Sequence, residues 1–257
     1  MDKSEKDKQV LSSVKNALRI LRSFSLAEPE KHVSALADEL GLAKSTVSRL
    51  LTTLASEGFV IKDQSTRTYG LGLSILNLNT ILTSRFEVNR ESLPVLQQLV
   101  NSLGETAHIA TLAGTDVMYL NRIECRQPVP ILSHIGRRNP VHCTSSGKVL
   151  LAYQSKTVIN QYIERGLERY SAHTITDPGD FLAALQTIRT HEYATSSGEI
   201  REGAASIAAP IRDYTGRVVY AVTVVGPAQR LNVHSQANIG KVKEAAREIS
   251  GRLGYYK

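Results

Sequence analysis

The chain has 257 residues, 42% of them apolar, enough to bury a substantial core and, by length, to form two domains. No apolar run approaches a bilayer span, and the charged opening MDKSEKDKQV lacks the apolar stretch of a secretory signal, so residues 1–10 read as a frayed tail. The formal charge of +7 is spread thinly, 12 Lys+Arg against 9 Asp+Glu over residues 1–85 and 19 against 15 over 86–257, so charge by itself selects no partner.

From Val14 to Phe24 the apolar residues Val14, Ala17, Leu18 and Leu21 follow the i, i+3, i+4, i+7 spacing of a helix lying on a core. The stretch HVSALADELG repeats that spacing with Val33, Leu36, Ala37 and Leu40 and stops at Gly41, a residue suited to the left-handed position after a helix. After a short turn, Val47, Leu50, Leu51 and Leu54 predict a third helix over Lys44–Glu57. Its outer face carries Lys44, Ser45, Thr46, Ser48, Arg49 and Thr52 and no acid before Glu57, whereas a solvated helix face ordinarily mixes Glu with Lys. Short hydroxyls and a guanidinium suit an element entering the major groove of DNA, and two helices joined by a tight turn form a helix-turn-helix. The competing reading is a three-helix packing module indifferent to DNA. Next, FVIKDQSTRTYGL predicts a hairpin, with strands at Phe59–Ile61 and Tyr69–Leu71 and a polar turn at Asp63–Thr66, a wing whose Lys62 and Arg67 are placed for phosphate or the minor groove. The winged helix-turn-helix domain is therefore assigned to 11–72. Residues 73–86, LSILNLNTILTSRF, read as a linker helix whose apolar surface is covered either by a second copy of the chain or by the rest of this one.

In residues 87–257 helical spacing before Gly104 gives way to β-rich runs at Ala107–Leu112, Val117–Ile123, Val129–Ile135, Ala205–Ile211 and Val218–Val225, with AGTD and RDYTGR as hairpin turns. Helices are predicted over Gly147–Gln154, Thr157–Gly166, Gly179–Thr190 and Ala237–Leu253. This arrangement argues for an α+β domain, an antiparallel sheet flanked by helices. Cys125 and Cys143 are too few for a disulfide framework and too far apart for a CxxC motif, which fits reduced core residues in a cytoplasmic protein.

Behind that DNA-binding module, the three stretches ETAHIATLAGTDVMYLNRIE, HCTSSGKVLLAY and EGAASIAAPIRDYTGRVVYAVTVVGP, in that order, resemble the isocitrate lyase regulator (IclR) family of bacterial transcription factors. The resemblance implies a GAF/PAS-like effector domain, a double-stranded DNA operator, a small organic or aromatic acid as effector, a dimer or dimer of dimers, and repression as the commoner mode. It places the effector against HCTSSGK, where Thr144, Ser145 and Ser146 precede a helix opening near Gly147 and backbone amides can receive a carboxylate. By themselves these residues fit a plain N-cap equally well. The resemblance also brings Ser196 and Ser197, where relatives carry an acidic pair, Ser206, where they carry Cys, and Thr223 on the closing strand. Hydroxyls in place of acid and thiol make the pocket more welcoming to an anion.

Enzyme readings fare poorly. Ser145-x-x-Lys148 has the spacing of some acyl-transferring hydrolases and His142 lies near, but the companion elements are missing, as is a Gly-x-Ser-x-Gly. SSGKVL has neither the first glycine of a phosphate loop nor the hydroxyl after its lysine. The seven histidines contain no His-x-x-x-His pair, so neither a metal nor another cofactor is expected.

Overall fold

A computed structural model describes residues 11–25, 27–83, 86–128 and 135–256, which divide into two compact units, Met1–Arg85 and Phe86–Lys257. The expected tail 1–10 lies outside the described residues, as does the expected strand at 129–135 except for Ile135, which sits in a turn.

In the first unit, helices α1 (Ser12–Ser23), α2 (Val33–Leu40) and α3 (Lys44–Ser56) pack with a small sheet of β1 (Glu30–Lys31), β2 (Val60–Lys62) and β3 (Tyr69–Leu71), and helix α4 (Ser74–Thr83) follows. Its core is Ile20, Leu36, Ala37, Val47, Leu51, Val60 and Tyr69, bordered by half-buried Leu21, Phe24, Val33, Leu40, Leu50 and Leu54. Each fully buried aliphatic side chain contributes about 1.5–3 kcal/mol. For α2 and α3 the expected faces point inward. For α1 the phase is corrected: Ile20 is buried with Leu21 and Phe24 beside it, while Val14 and Leu18 stay 52% and 50% exposed. Two stripes of identical spacing overlap on this helix, and the one carrying Ile20 and Phe24 brings more apolar volume to the core. Gly41 adopts φ 65°, and its N–H bonds back to Ala37 and Asp38, ending α2. The sheet order is β1-β3-β2, all antiparallel, and β1 is a strand with no hydrophobic signature. The linker helix begins at Ser74, with Leu73, Leu76, Leu78 and Ile81 between 52% and 81% exposed.

The second unit runs α5 (Glu87–Leu103), β4 (Thr106–Ala113), β5 (Asp116–Ile123), β6 (Arg138–Pro140), α6 (Ser145–Ala152), α7 (Lys156–Glu164), α8 (Pro178–His191), β7 (Ala194–Ser197), β8 (Ala204–Arg212), β9 (Val218–Pro227) and α9 (Gln236–Arg252). Among the described residues, six strands form one antiparallel sheet in the order β6-β5-β4-β9-β8-β7. Helices α5 and α9 cover one face, closing over Ala107, Ile109, Ile207, Ala209, Val222 and Val224. The other face packs Ala110, Tyr119, Ala208 and Ala221 against α6, α7 and α8. Because the central strands are buried on both faces, β8 and β9 read as near-continuous apolar runs instead of alternating. Two short edge strands, β6 and β7, add to those expected from the sequence.

Candidate functional site

Two regions concern function, one in each unit. In the first, Val47 and Leu51 anchor α3 in the core and turn Lys44, Ser45, Thr46, Ser48, Arg49 and Thr52 to the exposed face. The first acid after this run is Glu57, the C-cap residue. Thr52 Oγ1 donates to the Ser48 carbonyl at 3.0 Å, so its proton is committed to the helix and the hydroxyl can offer a ligand only lone pairs. Arg49 has no ion-pair partner among the described residues. The wing turn is tied by Asp63, whose Oδ1 accepts from the amides of Ser65 (2.7 Å) and Thr66 (3.2 Å) and from the Ser65 hydroxyl (2.6 Å). Those bonds, the Ser65 hydroxyl first, hold the Asp63 carboxyl below the usual carboxylate range. Lys62 and Arg67 flank the turn, both exposed. Lys62 Nζ lies 5.7 Å from the centre of the Tyr69 ring, and Arg67 takes φ 57°.

In the second unit a cavity of about 240 Å3 opens between the sheet and the start of α6. Its walls carry Thr144, Ser145, Ser146, Ser196, Ser206 and Thr223. The helix starts two residues earlier than expected: Ser145 and Ser146 are its first helical residues and Thr144 its N-cap, whose hydroxyl accepts from the Gly147 amide (3.2 Å) and donates to the Pro140 carbonyl (3.1 Å). Gly147 lies so close to the preceding loop that a Cβ there would clash with the Val141 carbonyl oxygen, so the first turn packs on that loop only with glycine at this position. As first-turn residues, Ser145 and Ser146 have amides without a helical acceptor, at the positive end of the helix. Ser145 Oγ pairs with Ser206 Oγ at 2.7 Å, and Ser196 Oγ donates to the Cys143 carbonyl at 3.4 Å.

Ser197 is corrected. It is exposed and not part of the wall, because successive residues of β7 face opposite ways and Ser196 takes the inward position. The wall residues not named as effector contacts from the sequence include His108 on β4, Tyr119 on β5, Asn139 on β6, Cys143 before α6, and Arg201 and Glu202 ahead of β8. His108 is 2% exposed and neither ring nitrogen has a hydrogen-bond partner among the described residues. Burial, with the neighbouring Arg122 guanidinium adding to it, drives its pKa down to about 3, so the ring is uncharged. The Tyr119 hydroxyl accepts from Asn139 Nδ2 at 3.0 Å. Burial, with the Glu199 carboxylate next, pushes the Cys143 thiol up to about 12, away from thiolate chemistry. A polar residue inside an apolar strand, as in ETAHIATLAG, was the signal available for His108.

The Ser-x-x-Lys spacing does not assemble a hydrolase site. Lys148 Nζ is ion-paired with Glu199 Oε1 at 2.6 Å, both groups buried, and the Ser145 hydroxyl is engaged with Ser206. His142 is held by the Tyr162 hydroxyl (2.9 Å) and the Glu168 carbonyl (2.8 Å). Among the described residues no cluster of three His, Cys, Asp or Glu is placed to hold a metal, and no helix is long and apolar enough to cross a membrane. Cys125 and Cys143 are both free and buried.

Residues 13–64 match the IclR helix-turn-helix domain, and residues 80–251 match the bacterial transcriptional regulator IclR C-terminal domain. The chain belongs to the IclR family. It is 30% identical to the HTH-type transcriptional regulator KdgR of Escherichia coli (strain K12) over 100% of this chain and 98% of that one. The HTH-type transcriptional repressor AllR of the same organism is 28% identical over 94% and 90%. The crystal structure of an IclR homologue from Microbacterium hydrocarbonoxydans complexed with 4-hydroxybenzoate superposes with a TM-score of 0.84 at 25% identity, covering 94% of this chain and 99% of that one. This IclR-family protein is a DNA-binding transcriptional regulator under small-molecule control.

Proposed function

We propose that this IclR-family regulator is a cytoplasmic repressor in which α3 reads the major groove, the wing grips the adjoining backbone, and a small organic acid in the 240 Å3 cavity controls the fit to DNA. The observation that carries the DNA reading is the face of α3: six exposed polar or cationic residues, no acid, and an Arg49 guanidinium without an ion-pair partner among the described residues. A DNA-indifferent packing module has no use for such a face.

The effector reading is supported by the first-turn amides of Ser145 and Ser146, by the hydroxyl lining, and by volume. A cavity of roughly 150 Å3 is enough for benzene, so this one suits a single-ring or short acyclic acid. The 4-hydroxybenzoate complex of the Microbacterium homologue supports the same class. Exposed Leu11, Val14 and Leu18 along α1, and Leu73, Leu76, Leu78 and Ile81 along the linker, support a homodimer or dimer of dimers reading two half-sites. An acid that binds one arrangement of that dimer more tightly than another biases the separation of the two recognition helices, and by linkage DNA alters acid affinity equally. The domain limits follow the same reading: DNA-binding domain 11–72, linker 73–86, effector domain 87–257.

The test is duplex binding by fluorescence anisotropy, with sequences selected by the purified protein from a random library and salt varied. Affinity falls steeply with salt, and Arg49→Ala weakens binding by about 5- to 150-fold. Binding that is flat in salt and unmoved by Arg49→Ala would overturn the reading.

A further inference from the structure

The cavity has a second polar end, distinct in chemistry from the opening of α6. His108 on β4 and Thr223 on β9 stand directly opposite each other in the ladder, 2% and 1% exposed, and both line the cavity. Among the described residues, both imidazole nitrogens and Thr223 Oγ1 lack hydrogen-bond partners. Buried polar side-chain atoms are partnered in the large majority, so three orphans in one cross-strand pair call for an external partner.

The neighbours do not supply one. The His108 ring stands edge-on to Tyr119, 4.5 Å between centroids and 73° between planes, which fixes its orientation. Tyr119's own hydroxyl is engaged by Asn139. The imidazole is uncharged, so it presents one N–H and one bare nitrogen, and the threonine hydroxyl both donates and accepts. A carboxylate only accepts and an ammonium only donates. A ligand hydroxyl does both, and so matches the mixed donor and acceptor capacity of this uncharged pair. The carboxylate has its better seat at the positive end of α6.

The register gives the separation of the two seats. Ser206, bonded to Ser145 at the start of α6, pairs with Val225, which makes Thr223 its diagonal neighbour on the same face. Such diagonal positions lie about 7–8 Å apart. A para-substituted ring or a short chain spans that distance.

We infer that this cavity selects hydroxy acids, seating the carboxylate on the first turn of α6 and a separate hydroxyl between His108 and Thr223. The inference rests on the effector reading above and adds to it the chemical class of the ligand and the residues that choose it.

Isothermal titration calorimetry on the full chain tests it with two matched pairs, benzoate with 4-hydroxybenzoate and butyrate with 4-hydroxybutyrate. In at least one pair the hydroxy acid binds at least about tenfold more tightly. Thr223→Val and His108→Phe bring that ratio to within about threefold, whereas Thr223→Ser and His108→Gln, which keep donor and acceptor, retain most of it. Thr223→Val is nearly isosteric and removes an orphan hydroxyl, so without ligand it melts no lower than the parent, which separates lost selectivity from lost folding. Ratios near one in both pairs, or a ratio the Val and Phe variants leave intact, overturn this inference and leave the effector reading standing. If neither member of either pair binds, the acid-effector reading fails and this inference fails with it.

Discussion

His108 makes the effector domain acid-sensitive in a way one substitution can expose. Its folded pKa is about 3 and its ordinary value 6.5, so the folded state refuses a proton that the unfolded chain accepts. Stability is therefore full above 6.5 and drains away as pH falls from 6.5 toward 3. At pH 5 the gap from the ordinary value corresponds to about 2 kcal/mol, and this figure does not depend on how far below 5 the folded pKa lies. For a domain of this size each kcal/mol moves the melting temperature by about 2–4 °C, so wild type loses about 4–8 °C from this group between pH 7.5 and 5. Differential scanning calorimetry of the full chain, wild type against His108→Gln, isolates it: glutamine keeps an uncharged polar group there and does not titrate. The DNA-binding unit has no part in the effect and serves as internal reference. Parallel losses in the two proteins between pH 7.5 and 5 would refute the reasoning.

Three further outcomes are expected. Glu199→Ala strands the buried Lys148 ammonium and costs about 3–5 kcal/mol, read as a drop in melting temperature that Lys148→Met in the same chain largely restores. Gly147→Ala forces a Cβ against the Val141 carbonyl and the Thr144 hydroxyl, lowering stability by about 1–3 kcal/mol and weakening acid binding at the displaced first turn of α6, measured by calorimetry. Lys62→Ala with Arg67→Ala, both exposed on the wing, lowers the slope of log affinity against log salt by about two while leaving sequence preference intact in the anisotropy assay.

Legibility tracked how local each signal was. The two core-facing helices of the reading module, the left-handed Gly41 and the acid-free face of α3 are set by neighbours within a few residues, and could be read directly. The long hairpins around AGTD and RDYTGR carried their own turn chemistry. Strand β1, only Glu30–Lys31, and the edge strands β6 and β7, Arg138–Pro140 and Ala194–Ser197, exist because a partner strand offers hydrogen bonds, and no apolar pattern marks them. The α1 stripe was misphased because Val14 and Leu18 repeat the spacing of Ile20 and Phe24, and only the completed core chooses between them. Of the cavity, Ser145, Ser146, Ser196, Ser206 and Thr223 were reached through family resemblance. Ser197 failed because a pair of adjacent strand residues cannot share a face. His108 and Tyr119 come from strands whose burial is decided only when α6 to α8 close over the sheet, so their place in the cavity wall was a tertiary property.

The wall that carries His108 and Thr223 has a fully buried core cluster behind it. Ala107, Ile109, Val222 and Val224, on the reverse of the same two strands, are fully buried against α5 and α9. Such packing is nearly incompressible, so the sheet acts as an anvil. Whatever recoil an arriving molecule produces must be taken up on the opposite side, by α6 and by the Glu199–Gly203 segment clasped to it through Lys148.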